Sequence, residues 1–392
     1  MTTRSGTVRM PWDAANPYPY YAIRRRDGDV VWDEELNSWL VFGYRAAQQV
    51  LSANGWSSNP LVNPNAPETL RGFDRDVVRR NLTFTDGADH TRLRKAVRDV
   101  FTRSFIARLE EGVEAIARDI VDAIPAGEEF DFMTEVALPL PIAVAAAWLG
   151  LDVDAARLLY DEAPAISRML FDFNDTAAVD AGLAAFATLL TELLPLAADR
   201  RVHPGDDLLS FIAADRDLEL DDVVITALII ADAGRLTTAN LLGKAMIRLL
   251  TPGEDGARPV DGLPAVDDRL VTELLRLDAP VQNVPRTATE DHVVGGMTIR
   301  AGEAVQVLLA AANRDPAVYS EPDRLRLDRP GPAPLTFGHG VHYCLGAALA
   351  RLEVGTTLRR ALARAPRLGG APQWADTQQI HGPVSVPMTF GH

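Results

Sequence analysis

The segment Phe337-Gly-His-Gly-Val-His-Tyr-Cys344-Leu-Gly346 gathers residue types that bind metals and turn the backbone. Cys344 is the one cysteine among 392 residues. It falls near the predicted start of a helix running to about Ala363, where free N–H groups and the helix dipole favour an anion such as a thiolate. Gly338, Gly340 and Gly346 permit positive φ and the close approach of something flat. A thiolate held by backbone donors in a glycine loop is a soft ligand suited to iron. Two other readings stand beside this one. A lone cysteine is commonly a small buried hydrophobe. His339, His342 and Cys344 also form H-x-x-H-x-C, although a structural zinc site takes a fourth ligand and there is no second cysteine.

The loop resembles the haem-binding segment of the cytochrome P-450 family, F-G-x-G-x-H-x-C-x-G, with every signature position present. The resemblance implies haem b, with Cys344 as the axial thiolate and Phe337, Gly338 and Gly346 forming its loop. It covers nearly the whole chain, with motifs in the family's order. Glu273-Leu-Leu-Arg276 matches E-x-x-R, a spacing that puts both side chains on one helix face. With Arg329 of Leu327-Asp-Arg-Pro330 it implies a buried structural triad. Arg286, which follows Pro280-Val-Gln-Asn-Val-Pro285, is implied to hold a haem propionate. So are His90 and Arg94 of Ala88-Asp-His-Thr-Arg-Leu-Arg94, and His342. Buried carboxylates need such cationic or hydrogen-bonding partners. Asn313-Arg-Asp-Pro316, Asn16-Pro-Tyr-Pro19 and Trp39-Leu-Val-Phe-Gly-Tyr44 match further family segments.

Ala233-Gly-Arg-Leu-Thr-Thr238 resembles the family's oxygen-binding groove, which implies catalytic roles for Ala233, Gly234 and Thr237. The family places an acid where this chain has Leu236. Two expectations follow. In one, the enzyme hydroxylates a small secondary metabolite, and Asp232, water or the substrate takes over the acid's role. In the other, weakened proton delivery suits oxidative cyclisation, C–C or C–N coupling, or nitration of an aromatic or peptide-derived substrate. Arg235 is expected to pair within the protein. By analogy the pocket is lined by the 56–84 loop, the 164–173 segment with Arg168, and Phe84, Met169, Phe171, Phe173, Leu236, Gln282, Asn283 and Val284. Electrons would come from ferredoxin and ferredoxin reductase, docking near Arg92, Lys95, Arg98 and Arg351. A non-catalytic haem-thiolate sensor and a haemless helical protein are the competing classes.

The elements that must position these residues are mainly helical. From His90 to about 250, apolar residues recur at three and four, with breaks near Pro125-Ala-Gly127, Pro204-Gly205 and Pro252-Gly253. Asp221 to Leu250 reads as one long helix, apolar nearly all round and therefore central. A helix is predicted over Pro264 to Leu277. Asp29–Trp32 and Trp39–Phe42 read as one hairpin, and Val293–Ile299 with Ala304–Leu308 as another. The expectation is a single catalytic domain over residues 1–392, mainly α with a minor β part. It is the family fold, with a long central helix over haem and strand-rich portions near 29–45 and 280–310.

Composition agrees with a large packed core: 47% of residues are hydrophobic and 24% charged. The net charge of −15 argues against a nucleic-acid partner. One cysteine excludes an internal disulfide framework and fits a reducing compartment. The first residues show no apolar leader or anchor, so a cytoplasmic monomer without membrane contact is expected.

Overall fold

The computed structural model describes residues 11–66, 78–171, 175–377 and 379–391, without the side chain of Phe171. Its principal helices are α1 Tyr18–Arg24, α2 Tyr44–Ser52, α3 Gly87–Arg98, α4 Glu110–Asp122, α5 Pro139–Leu149, α6 Val153–Phe171 and α7 Thr176–Val202. They continue with α8 Leu208–Ala213, α9 Leu220–Leu250, α10 Asp268–Leu277 and α11 Ala347–Ala363. The strands are β1 Val30–Asp33, β2 Ser38–Val41, β3 Trp56–Ser57, β4 Glu129–Asp131, β5 Val284–Ala288, β6 His292–Val294, β7 Met297–Ile299 and β8 Ala304–Val307. Four short ones close the chain: β9 Arg367–Leu368, β10 Gln373–Trp374, β11 Pro383–Ser385 and β12 Pro387–Thr389.

The expected long helix forms without a break over 31 residues. A capping box between Glu219 and Asp222 starts it, satisfying N–H groups that would otherwise be orphaned. Asp222 also receives Arg80 and Arg92, each at 2.8 Å. The helix divides the apolar interior. Val223, Val224, Ala227, Leu228 and Ala231 belong to one core with α3 and α5–α8. Ala239, Leu241, Leu242, Ala245, Met246, Leu249 and Leu250 belong to a second core with α4, α5, α10 and α11. Residues 232–238 lie at the seam between the two. α11 straddles the same seam: Ala348, Leu349 and Leu352 pack on the first core, and Val354, Leu358 and Ala361 lie in the second.

The largest sheet has strand order β1-β2-β8-β5-β3. β1 and β2 form the expected hairpin, with Val30 opposite Val41. The second expected hairpin is different. Residues 292–299 fold on themselves as β6–β7, and β8 leaves to pair with β2 and β5. Gly295 (φ +56) and Gly296 (φ +82) supply the tight turn, because a two-residue loop of this hand needs two positive φ values. α10 also starts later than predicted, at Asp268. The Asp267 carboxylate caps it by accepting from the N–H groups of Arg269 and Leu270. Among the described residues one helix, α7, is long and apolar enough to cross a membrane by length and composition.

Candidate functional site: the Cys344 loop beneath the central helix

The glycine loop is held at its base before any ligand is considered. Asn313 accepts from the Leu335 N–H at 2.6 Å and donates to Thr336 Oγ1 at 2.8 Å. Within the loop the Cys344 N–H donates to Phe337 O at 2.9 Å. Gly338 and Gly340 both have φ +71. A Cβ on Gly340 would lie 2.4 Å from Leu51 O, so the loop's approach to α2 requires glycine there. Gly346 differs from its expected part, with an ordinary φ of −76 at the N-cap of α11. Its N–H donates to the Cys344 sulfur. The helix proper therefore begins three residues after the cysteine, at Ala347.

Cys344 is exposed to solvent, yet protein surrounds its thiol closely enough that burial raises its pKa against the Gly346 N–H and Arg94. Both hold for a sulfur that keeps accessible surface while protein atoms crowd close around it. A metal bound there would deprotonate it. Arg351 lies over the Phe337 ring at 5.7 Å and donates to Thr272 Oγ1 at 2.9 Å.

Beside the loop stands a cluster of cations and imidazoles drawn from three elements. α3 carries His90 and Arg94, β5 carries Arg286, and the loop carries His342. The rings of His90 and His342 are 4.2 Å apart. Burial, followed by the charges of His342 and Arg94, lowers His90 to about 4, so it is neutral near pH 7. His90 Nε2 is buried without a hydrogen-bond partner. Burial also lowers Arg286 to about 10 against the pull of Asp86, and its Nη1 reaches only its neighbour Pro285 O, at 2.7 Å. Arg94 Nη2 donates to Tyr343 O at 2.7 Å. Asp86 was missed in the sequence. Burial opposes its charge, but His342, Ser57 and the Ser58 N–H hold it at about 2. His342 Nε2 lies 3.3 Å from it.

The seam of α9 holds the residues expected to form the oxygen groove. Ala233 and Gly234 are exposed there, on a helix buried on both sides of them, and Leu236 and Thr237 are half-buried. Nothing lies within 4 Å of a Cβ built on Gly234. Thr237 Oγ1 donates to Ala233 O at 2.8 Å, a bond back into its own helix that loosens the turn.

Glu273 receives Arg276 Nε at 2.8 Å and Nη2 at 3.0 Å, and Arg329 Nε at 3.1 Å. Arg276 also donates to the carbonyls of Asn313 and Arg324. The three side chains are nearly sealed from solvent. Their bonds tie α10 to the segment that leads into the loop.

The residues expected around the substrate are less united. Phe84 and Val284 are half-buried, like Leu236. Gln282 is fully buried; it accepts from the Tyr21 hydroxyl and donates to Ala279 O, leaving no surface for a ligand. Asn283 donates to Gln306. Met169 is turned onto α7, where a Cβ on Gly182 would come within 2.4 Å of its own. Arg168 pairs with Asp175. Phe173 and the Phe171 side chain lie outside the described residues. The expected docking cations are also partly engaged: Arg92 with Asp222, Arg98 with Asp99, and Arg351 as above. Lys95 remains exposed, 3.9 Å from Asp217. Arg235 pairs inside the protein as expected, on Ser167 of α6. Glu353, unremarked in the sequence, is buried with a hydrogen bond to Thr238, and burial raises it to about 8. Among the described residues no group of three His, Cys, Asp or Glu could hold a metal ion. That leaves the zinc reading of His339 and His342 without a ligand set.

These features fit a flat dianionic prosthetic group carried on a single thiolate. The sulfur is accessible although protein surrounds it closely, α9 has a bare stretch at Ala233–Gly234, and an unpartnered imidazole stands with two arginines beside the loop.

Comparison with known proteins agrees. The family model described as Cytochrome P450 matches residues 264–364. The chain is 32% identical over 374 residues to cytochrome P450 107B1 of Saccharopolyspora erythraea, covering 91% of this chain and 90% of the relative. It is 33% identical over 404 residues to the cytochrome P450 monooxygenase PikC of Streptomyces venezuelae, covering 96% of this chain and 92% of the relative. Among solved structures it resembles the P450 enzyme CxnD, for C–S bond formation in chuangxinmycin biosynthesis. The TM-score is 0.82 at 26% identity, covering 95% of this chain and 94% of that one. Similarity of this extent, around a thiolate loop of this geometry, shows that the chain belongs to the cytochrome P450 family and is a haem-dependent monooxygenase or oxidase.

Proposed function

We propose that this chain binds haem b, with Cys344 as the axial ligand, and hydroxylates a small secondary metabolite using electrons from ferredoxin and its reductase. The observation that carries the reading is the Cys344 sulfur, exposed yet closely surrounded by protein and accepting from the Gly346 N–H at the end of the glycine loop. When bound, haem supplies dioxygen activation, which the thiolate's electron donation favours.

The chain's own residues do the rest. His90, Arg94, Arg286 and His342 stand where two carboxylates need donors, and His90 Nε2 is free to take one. The Gly346 N–H holds the sulfur's charge, and the loop's internal bonds keep it aimed. The Glu273–Arg276–Arg329 triad is assigned a structural part, fixing the approach to that loop. Ala233 and Gly234 leave room beside α9, and the Thr237 hydroxyl holds a proton that can turn from Ala233 O toward the reacting group. Phe84, Leu236 and Val284 supply apolar surface that excludes water. Lys95 and the adjoining α3 face the electron donor. One catalytic domain accounts for all of these contacts.

A second reading has its own observation. Leu236 stands half-buried on α9 where the family carries an acid, and the C–S bond-forming CxnD is among the structural neighbours. A weak proton supply favours ring closure or coupling over oxygen insertion.

Turnover with a bacterial ferredoxin, its reductase and isotopically labelled dioxygen separates the two once a substrate is in hand. Hydroxylation gives a product with one labelled oxygen. Coupling gives a product lighter by two hydrogens and free of label. No product with any substrate that perturbs the haem spectrum would contradict both.

A further inference from the structure

One carboxylate links three of the elements around the cationic cluster, and the proposed chemistry does not use it. Asp86 is the N-cap of α3, the helix of His90 and Arg94. An aspartate in that place ordinarily accepts from the N–H groups of its own first turn. Asp86 does not, and no side-chain bond caps α3. Its carboxylate turns across to β3 instead. Oδ2 accepts from Ser57 Oγ at 2.6 Å, and the Ser58 N–H reaches Oδ1 at 3.1 Å and Oδ2 at 3.0 Å. Oδ1 also lies 3.3 Å from His342 Nε2 in the glycine loop. Among the described residues this is the one hydrogen bond that the His342 side chain makes.

The anchor is firm and well placed. Ser57 and Ser58 are buried, while Asp86 and His342 are half-buried. Ser57 stands opposite Thr287 in the pairing of β3 with β5, one residue from Arg286. Asp86 therefore ties the His342 ring to the strand pair that carries Arg286, from the residue that opens the helix of His90 and Arg94. Held at about 2, its carboxyl is ionised near neutral pH and can only accept. A negative charge beside a site for two more carboxylates repels them, so charge alone argues against an aspartate here. What Asp86 supplies is place. A rigid dianion needs its donors held at matching separation, and these donors come from separate elements.

We infer that Asp86, anchored on Ser57 and Ser58, is a positioning residue that fixes the His342 ring within the haem cradle. The inference rests on the proposed haem site, and Asp86 acts there through His342.

Transfer of haem from the ferric holoprotein to apomyoglobin, followed by absorbance, reads the cradle without turnover. His342→Ala should speed transfer about tenfold and Asp86→Ala about fivefold, as for the loss of one hydrogen bond to a charged group. The double variant should match His342→Ala within about twofold, whereas independent contributions would multiply to about fiftyfold. Asp86→Asn keeps the shape and an acceptor for the Ser58 N–H, and should stay within about twofold of the natural chain. Ser57→Ala removes only the anchoring hydroxyl and should speed transfer about threefold, with no further effect beside His342→Ala. It carries the test if Asp86→Ala gives no soluble protein.

Effects that multiply in the double variants would overturn the inference, since Asp86 would then act apart from His342. Slower transfer in both Asp86→Ala and Asp86→Asn would also overturn it, because the carboxylate would count only as a repelling charge. A natural chain that holds haem, with transfer unchanged in Asp86→Ala, overturns this inference alone. A natural chain that takes up no haem overturns the haem site with it.

Discussion

The two sides of the α9 seam are built differently. Below it, around Cys344, the loop and its approach are fixed by a set of specific hydrogen bonds. Asn313 sets Leu335, Phe337 O receives the Cys344 N–H, and Glu273 collects two arginines. Above it, between α6, α7 and α9, the wall is apolar surface interrupted by the bond from Arg235 to Ser167, and several expected lining residues are turned away. The difference follows from the task. A thiolate ligand and a dianion cradle demand particular residue types at particular spacings, whereas a substrate pocket demands only shape and a few donors. Changes below the seam should therefore affect every substrate, and changes above it should alter which substrate or product is handled.

The largest effect is expected at the triad. Glu273→Ala strands the buried guanidinium of Arg276 and should destabilise the fold by about 3–5 kcal/mol, enough to abolish soluble holoprotein. Chemical denaturation and recovery of soluble protein measure it. Loss within experimental error of zero would break the contrast on its stronger side.

Arg286→Ala should come next. The fold survives, but haem is lost to apomyoglobin at least about tenfold faster, since one charge-assisted hydrogen bond to a buried carboxylate disappears. The transfer rate, followed by absorbance, checks this. An unchanged rate would remove Arg286 from the cradle.

Glu353 sharpens the seam itself, because it reaches Thr238 of α9 from α11. Burial raises its carboxyl to about 8, from an ordinary value of 4.5. The native state therefore holds a proton that the unfolded chain releases. The group's contribution is full below about 4.5 and falls away as pH rises to about 8. Glu353→Gln should flatten the decline of stability with pH across that window, seen in denaturant midpoints of the holoprotein. An unchanged slope would mean that this carboxyl is ionised in the fold.

The smallest change in stability, with a change in chemistry, is expected at Leu236→Glu. The half-buried position accepts the side chain at a cost of about 1–2 kcal/mol. Coupling of electron consumption to product should shift, or the product ratio should change. Identical coupling and products would leave Leu236 as a tolerated variation.

Legibility in the sequence divides along the same seam. The ten-residue loop, the Glu273–Arg276 spacing, and the meeting of His90, Arg94 and His342 could all be read because each needs its residue type. The central helix was legible because 31 residues of apolar pattern admit few alternatives. Gln282 was misread because spacing does not tell which way a side chain at a strand edge turns; it turns inward to Tyr21. Met169 was misread because an apolar residue on an amphipathic helix fits a pocket and a helix contact equally well. β4 and β9–β12, two or three residues each, are too short to show a period of two. Asp86 and Ser167 carry no motif, and their importance comes from partners distant in sequence.

The central claim is that Cys344 carries the haem iron as a thiolate. The most direct test is the absorption spectrum of the dithionite-reduced protein under carbon monoxide, for the natural chain and for Cys344→His. The natural chain should show the strongly red-shifted Soret band of a thiolate-ligated ferrous carbonyl. The variant, if it keeps haem, should show the shorter-wavelength band of imidazole ligation. The shorter-wavelength band in the natural chain, or a red-shifted band that survives in Cys344→His, would contradict the account.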